Sequence, residues 1–215
     1  MLSTSYNRFM LTSEDAPSYL APYRDAARKH GGGFKSLLWA SPQTQEARFD
    51  AFLRLIPMRG KNVLDVGCGR ADLLDFLIAR NHTPAHYVGI EAVNDLALAA
   101  ENKRRANCLI LRADFVRDPI KMFVAADVVT ISGALNTVDR ATFYQTLRTA
   151  WEAAAESLVF NFLDSPDLAA SSFLTWHDRA DVLTFARTLD PDARINHDYL
   201  DGDCTIAVTK ANELK

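Results

Sequence analysis

Three acidic residues each end a short apolar run in the sequence, and a glycine turn follows the first of them. Asp65 precedes Gly67 and Gly69, while Glu91 and Asp114 end two later apolar runs. Glycine allows the backbone to take positive φ and to approach a ligand closely, and a helix after the turn points free N–H groups at the same place. Carboxylates accept hydrogen bonds from hydroxyl and amino groups. The pattern predicts a cradle for a nucleotide-like cofactor.

The identity of the cofactor depends on the charges around the turn. A dinucleotide fingerprint reads G-x-G-x-x-G, but its third glycine position is Asp72 here, and Asp65 adds a second carboxylate. Two carboxylates would repel a pyrophosphate, whereas they would attract the ammonium and sulfonium groups of S-adenosylmethionine. The sequence therefore favours S-adenosylmethionine, and an NAD(P)-dependent oxidoreductase is the alternative that these acids disfavour.

The stretch Asp65-x-Gly67-x-Gly69 resembles the first motif of class I S-adenosylmethionine-dependent methyltransferases. Many members carry a third glycine where this chain has Ala71, which is small enough to keep the turn plausible. The resemblance implies that this loop, including Cys68, binds the cofactor. It also implies that the protein is a methyltransferase enzyme.

The ends of the next strands are similar to later motifs of that family. Glu91, followed by Ala92, would accept hydrogen bonds from the two ribose hydroxyls. Asp114 would accept a hydrogen bond from the adenine amino group while Phe115 packs on the ring. Taken alone, Glu91 is better explained as a surface acid and Asp114 as a helix N-cap, and it is the occurrence of three acids at three successive strand ends that favours a cofactor site. For the methionine end of the cofactor and the acceptor, the resemblance implies the exit of the fourth strand, which holds Ser132, Gly133 and Asn136.

Two further stretches, 39–49 and 160–163, look like those of stand-alone bacterial methyltransferases without an assigned acceptor. We expect Arg48 to pair with the cofactor carboxylate and Trp39 to cover the sulfonium by a cation–π contact. A surface ion pair and a core anchor are the competing interpretations of these two residues.

The acceptor is predicted to be a small molecule methylated on oxygen or nitrogen. Methyl transfer needs mainly alignment, and a base only where the acceptor must lose a proton. His177, in an insert after the fifth strand, is the candidate base. A protein that binds the cofactor without turnover stays an alternative. Candidate residues for the acceptor site, besides Asn136, are Asn161, Tyr19, Tyr23 and Tyr199.

The elements that must position these residues follow from the apolar periodicity. Residues 16–30 and 42–55 are predicted helices on either side of three glycines at 31–33, so residues 1–60 form an N-terminal helical cap. Residues 61–215 form the S-adenosylmethionine-binding domain, in which apolar runs alternate with helical patterns. Further helices are predicted at 72–80, 94–107, 139–155 and 179–189. Strands are predicted at 62–66, 87–91, 108–112, 127–131, 157–162, 194–199 and 204–209.

The predicted fold is α/β: a Rossmann-like, seven-stranded, mostly parallel sheet with an antiparallel C-terminal hairpin. The hairpin is indicated by Asp201-Gly202 between the last two strands.

The bulk composition limits the possible partners. The chain has 215 residues and a net charge of −3, which disfavours nucleic acid as the main partner. Its 3 cysteines are widely spaced and form no C-x-x-C, so we expect reduced thiols, no metal site and a cytoplasmic protein. We find no signal pattern and no apolar run long enough for a membrane span. A monomer and a homodimer are both compatible with the sequence.

Overall fold

A seven-stranded sheet forms the centre of the structure, a computed structural model that describes residues 17–169 and 171–211. Its strand order is β3-β2-β1-β4-β5-β7-β6. The first five strands pair in parallel, and β7 runs antiparallel to both β5 and β6. The predicted α/β fold is therefore confirmed. The strands are β1 (Asn62–Val66), β2 (His86–Glu91), β3 (Cys108–Arg112), β4 (Ala126–Ile131), β5 (Ala154–Leu163), β6 (Arg194–Asn196) and β7 (Asp203–Thr209).

Helices cover both faces of this sheet, which is why the central strands are apolar on both sides. The α-helices are α1 (Ala21–His30), α2 (Pro42–Leu55), α3 (Asp72–Ala79), α4 (Asn94–Asn102), α5 (Arg140–Ala153) and α6 (Arg179–Leu189). Val63 packs with residues of α2 and α3, and Leu64 packs with residues of α5 and α6. Asp65, two residues after Val63, therefore points to the α2 and α3 side. Among the described residues, every helix falls short of the length and apolarity that a membrane crossing needs.

The strand register brings the carboxyl ends of the central strands together at one end of the sheet. Asp65 lies opposite Gly89 of β2 on one side and opposite Thr130 of β4 on the other. The order of the strands reverses between β1 and β4, and ligands of open α/β sheets bind outside such a point. A site is therefore expected outside the carboxyl ends of β1, β2 and β4.

Several predicted boundaries were wrong. Helix α4 ends at Asn102 instead of residue 107, because Arg104 and Asn107 take the left-handed conformation. Helix α5 begins after Asp139, whose side chain caps it by accepting a hydrogen bond from the Thr142 N–H, and β5 starts where the helix was predicted to continue. Before α1, a 3-10 turn spans Ser18–Leu20, since Pro22 suits only the first turn of an α-helix. Residue 16 lies outside the described residues.

The C-terminal hairpin forms with a longer connection than predicted. Strand β6 ends at Asn196, and residues 197–202 join it to β7. Tyr199 was expected in the strand, but its hydroxyl turns towards Asp203 and Thr205. Gly202 takes a φ of +75°, as the predicted turn requires.

Candidate functional site

The glycine loop after β1 is shaped by positive φ angles. Gly67 has a φ of +72° and Gly69 a φ of +55°, and a Cβ at Gly67 would collide with the Ala134 side chain. The N–H groups of Gly67 and Cys68 both donate to the Ile90 carbonyl, at 2.9 and 3.0 Å. These bonds tie the loop to the end of β2, so the predicted turn has one defined shape.

Ala71 occupies the position of the third glycine that many class I methyltransferases carry. It takes a φ of +54° and is the N-cap of α3. The left-handed conformation costs an L-residue about 1–2 kcal/mol, which the surrounding buried packing must offset. The turn therefore forms without that glycine.

Glu91 joins β2 to the glycine loop. Its carboxylate accepts hydrogen bonds from the Gly69 N–H at 2.8 Å and from the Val93 N–H at 2.7 Å. The side chain is 7% exposed. Burial raises the pKa of Glu91 to about 7, and the backbone donors oppose this rise. A carboxylate with two oxygens has further lone pairs for a ligand after these bonds.

Asp65 lies beneath the loop instead of on an open rim. It is 3% exposed, and its carboxylate accepts hydrogen bonds from the hydroxyls of Tyr87 and Thr130. Burial raises the pKa of Asp65 to about 6, against the lowering effect of these two donors. The residue lines a small cavity of about 30 Å³ together with Gln45 and Ser132.

The third predicted acid, Asp114, is engaged by the chain itself. Tyr19, which precedes α1, donates from its hydroxyl to Oδ2 of Asp114 at 2.7 Å. The Val116 N–H donates to Oδ1 at 3.0 Å. Phe115 is buried and lines the central cavity, as does Tyr19. Asp114 therefore stands behind the wall that these two rings form.

The loop after β4 is fixed by Asn161 on β5. Its Oδ1 accepts a hydrogen bond from the Gly133 N–H at 2.8 Å, and its Nδ2 donates to the Ser132 hydroxyl at 3.3 Å. Gly133 has a φ of +69°, and a Cβ there would lie 2.7 Å from the ring of Trp39. Close approach of the cap residue Trp39 therefore requires glycine at this position.

These elements enclose three neighbouring cavities. The first holds about 70 Å³ and lies between the glycine loop, Glu91 and Phe115. The small cavity beside Asp65 is the second. The third, which we call the outer cavity, holds about 270 Å³ and is lined by α2, the β4 exit and the β5 and β7 ends. Leu37 and Trp39 line all three, so the cap separates the cavities from one another.

Several solved structures with the same fold are methyltransferases. The magnesium protoporphyrin IX methyltransferase ChlM from Synechocystis PCC 6803 with bound SAH is 13% identical, with 79% of this chain and 83% of that chain covered and a TM-score of 0.60. The DhpI-SAM-HEP complex is 14% identical, with 90% and 96% covered and a TM-score of 0.62. A SAM-dependent methyltransferase from Archaeoglobus fulgidus is 14% identical, with 77% and 94% covered and a TM-score of 0.61.

The chain has the class I methyltransferase fold. No protein-family model matches the sequence, and the search of curated proteins gave no match.

Within this methyltransferase fold, Arg48 contacts Asp203 and Trp39. Its Nε donates to Oδ2 of Asp203 at 2.6 Å, and its guanidinium lies 4.3 Å from the centre of the Trp39 ring. Arg48 lines the outer cavity and neither of the other two. The guanidinium is therefore paired with a buried carboxylate of the chain, and the expected contact with a cofactor carboxylate stays a prediction.

His177 lies between β5 and α6, as predicted, but away from the three cavities. It is 4% exposed, its ring stacks on Phe143 at 3.8 Å between centres, and it lines none of the three cavities. Burial lowers the pKa of His177 to about 4. The packing of this histidine in an aromatic cluster favours a structural role, and its role as a catalytic base stays a prediction.

The candidate acceptor residues separate into different roles. Asn136 and Tyr23 lie in the wall of the outer cavity. Tyr19 faces the first cavity instead, and Asn161 positions the β4 exit from a fully buried site. Tyr199 lines neither cavity and donates to Asp203. Their placement could not be read from residue types alone.

The loop residues of the motif mostly line the first two cavities. Ala92, Ser132 and Gly133 line the first, and Cys68 lines only the small one. Gln45 was missed, although it is a polar residue on the buried face of α2, one turn before Phe49. A polar residue within an apolar helical stripe is the signal that indicates it. Among residues 17–169 and 171–211, no group of three His, Cys, Asp or Glu side chains is placed to hold a metal ion.

Proposed function

We propose that this protein is an S-adenosylmethionine-dependent methyltransferase acting on an oxygen or nitrogen of a small molecule. The observation that carries the proposal is the buried Glu91 carboxylate, which lines the first cavity at the end of β2 and holds the glycine loop. An acid in this position can accept hydrogen bonds from both hydroxyls of a ribose.

The charges near the loop favour this cofactor over a dinucleotide. Asp72 and Asp75 stand in the first turn of α3, where a dinucleotide would place its pyrophosphate. Lys103 pairs with both carboxylates, so they occupy this helix end without adding a free charge. Asp65 is buried close by. Negative groups at a helix N-terminus interact favourably with its dipole and leave little attraction for a phosphate. A sulfonium with an amino acid tail is cationic on sulfur and nitrogen, and of these three acids it suits Asp65, whose partners are the hydroxyls of Tyr87 and Thr130.

The chemistry of the three cavities fits the parts of this cofactor and its acceptor. In our proposal the adenosyl group lies against Phe115 with the ribose at Glu91, and the amino acid tail extends towards Asp65 and Gln45. The acceptor then enters the outer cavity. S-adenosylmethionine is larger than the first cavity of about 70 Å³, so binding requires the cap residues Leu37 and Trp39 to move outwards.

The cofactor supplies a methyl group already activated by the positive sulfur. The chain's own residues then need to align the acceptor with that methyl group and to keep water away. The cap serves both needs, since Trp39 lies between the first cavity and the outer one. The residues that line the outer cavity include no histidine, lysine or cysteine. Its two carboxylates are Asp203, which pairs with Arg48, and the exposed Asp201.

Calorimetric titration of S-adenosylhomocysteine, S-adenosylmethionine and NADH tests the proposal. We expect saturable binding of the first two and none of NADH. Glu91→Ala should weaken binding by at least about tenfold, which corresponds to the loss of one to two charge-assisted hydrogen bonds. Glu152→Ala, on an exposed position of α5, is the matched control. Binding of NADH in preference would overturn the proposal, and a loss of binding in both variants would remove Glu91 from it.

Turnover is tested with S-adenosylmethionine that carries a labelled methyl group and a metabolite extract. Label transferred to a small-molecule fraction is the result expected of an enzyme. Binding without any labelled product in any fraction would favour a protein that holds the cofactor without catalysis.

A further inference from the structure

The outer cavity has mainly apolar walls. Leucines 163, 168, 174 and 200 form the side furthest from the cap, and Tyr23 and Trp39 form the near side. Its volume of about 270 Å³ exceeds the ~150 Å³ of a protein cavity known to bind benzene. A single aromatic ring or a short branched chain with one polar group therefore has room there.

The one cation among the described residues that line this cavity is already neutralised. Arg48 donates from Nε to Oδ2 of Asp203, and its NH2 group contacts the same oxygen. Asp203 is 1% exposed and also accepts a hydrogen bond from the Tyr199 hydroxyl. The outer face of the guanidinium is covered by Trp39. An anionic ligand would meet a paired charge, and would lose its hydration without gaining a free cation. A cationic ligand would meet the same pair, and the other carboxylate in the wall, Asp201, is exposed to water, which weakens its attraction for a cation.

Asn136 is the buried uncharged polar side chain in this wall, whereas the Thr44 hydroxyl is bonded to the Ser41 backbone and Asp201 is exposed. Its backbone is held on both sides, because its N–H donates to the Gly133 carbonyl and its carbonyl accepts from the Thr175 N–H. The residue is 8% exposed and lines the cavity. A side-chain amide can both donate and accept hydrogen bonds, so a ligand hydroxyl or amide that reaches Asn136 can pair with it.

We propose that the acceptor is a neutral, mainly apolar small molecule with one hydroxyl or amide group, which Asn136 recognises. This inference rests on the proposed methyltransferase function and goes beyond it by naming the class of acceptor and its specificity-determining residue. Carboxylates and phosphate esters are rejected because Asp203 holds the charge of Arg48. The Asp203 carboxylate thus selects against anions without touching the reacting atoms.

Three probes of similar size test the proposed class of acceptor: benzyl alcohol, benzoate and benzylamine. Each is titrated into the full-length protein, with and without S-adenosylhomocysteine, and followed by the NMR signal of the Asn136 side-chain amide. We expect benzyl alcohol to bind at least tenfold more tightly than either ion. Tighter or equal binding of benzoate or benzylamine would overturn the proposal, and so would the absence of saturable binding by all three.

Two substitutions test the named residues. Asn136→Leu should weaken the binding of benzyl alcohol about tenfold. It should leave the binding of toluene, which cannot form the hydrogen bond, unchanged. Asn102→Leu on the exposed end of α4 is the control. These titrations are followed by intrinsic fluorescence, since the Asn136 amide signal is absent in the first variant. Equal weakening of both ligands would mean that Asn136 only shapes the wall, and would overturn its role.

Asp203→Asn should raise the affinity for benzoate at least tenfold, because it leaves the Arg48 charge unpaired. An unchanged preference in a folded Asp203→Asn protein would contradict the role of the ion pair. If this variant does not fold, the wild-type preference and Asn136→Leu still decide the proposal. Calorimetry with S-adenosylhomocysteine on the same samples separates failure of the proposed acceptor class from failure of the proposed methyltransferase function. Cofactor binding with a preference for benzoate overturns only this inference, whereas probe binding without cofactor binding overturns the proposed methyltransferase.

Discussion

Tyr19 donates a hydrogen bond of 2.7 Å from its hydroxyl to the Asp114 carboxylate, across 95 positions of the sequence. This bond joins the segment before α1 to the exit of β3 and closes one side of the first cavity. Burial raises the pKa of Tyr19 above its ordinary value, and the Asp114 hydrogen bond adds to the rise, so the phenol stays protonated and keeps donating. The cap is therefore attached to the carboxylate that was predicted to contact adenine.

Tyr19→Phe should tighten the binding of S-adenosylhomocysteine, because it frees Oδ2 of Asp114 for the adenine amino group. The same change should lower the free energy of unfolding by about 1 kcal/mol, the usual worth of one hydrogen bond. Calorimetry and urea denaturation measure the two effects, with Tyr144→Phe on α5 as the control. Weaker binding in Tyr19→Phe would show that the hydroxyl contacts the ligand directly.

Glu91 should make the stability depend on pH. Because burial raises the pKa of Glu91 from 4.5 to about 7, the folded protein holds this proton more tightly than the unfolded chain does. Its contribution to the free energy of unfolding is therefore fully present below about pH 4.5 and is lost as the pH rises through 7. Urea denaturation between pH 4.5 and 8 should show this decline in the wild type and a flatter profile in Glu91→Gln. Parallel profiles of the two proteins would refute the assignment.

The same titration should affect ligand binding in the opposite sense. An ionised Glu91 accepts hydrogen bonds from ribose hydroxyls, whereas a protonated one has given up part of its accepting capacity. Affinity for S-adenosylhomocysteine should therefore rise as the pH increases through about 7. Calorimetry at pH 6 and 8 measures the rise, and Glu91→Gln should remove most of it.

Gly133→Ala should lower the affinity for the cofactor more than backbone strain alone explains, because the new side chain displaces Trp39 of the cap. Gly133 and Gly60 have almost the same positive φ, +69° and +71°, so alanine costs each about 1–2 kcal/mol of conformational energy. Only at Gly133 does the new Cβ meet a side chain, 2.7 Å from the Trp39 ring, while Gly60 has open space. We expect Gly133→Ala to lose cofactor affinity and Gly60→Ala to keep it. Equal affinities in calorimetry would mean that Trp39 does not need this close approach.

His177 should matter for folding and not for chemistry. Burial lowers the pKa of His177 from 6.5 to about 4, so the folded protein binds this proton less tightly than the unfolded chain does. The resulting stability is present above pH 6.5 and is lost as the pH falls through 4. His177→Phe should keep cofactor binding and methyl transfer and should be less sensitive to acid in thermal denaturation. A loss of turnover with intact folding would restore His177 as a candidate base.

The sheet could be predicted from the sequence, since the strand ends and the glycine loop follow from local patterns of residues. Gly67 and Gly69 take the positive φ that their spacing predicts, and Glu91 ends its strand at the loop. Long-range pairing could not be read in the same way. Asp203 lies 155 positions from Arg48, and only the antiparallel placement of β7 brings them together.

His177 shows the same limit from the other direction. Its residue type suggested acid–base chemistry, but the stacking on Phe143 depends on how the segment before α6 returns to α5. A residue type indicates what a side chain is able to do, and packing decides whether it is in reach of a ligand. The missed Gln45 follows from the same cause, because its cavity exists only where α2 lies over the glycine loop.

A crystal structure of the protein with S-adenosylhomocysteine tests the central claim most directly. The account predicts both ribose hydroxyls within hydrogen-bonding distance of the Glu91 carboxylate, the adenine ring against Phe115, and the sulfur facing the outer cavity beside Trp39. A ligand bound elsewhere, or a ribose that makes no contact with Glu91, would contradict it.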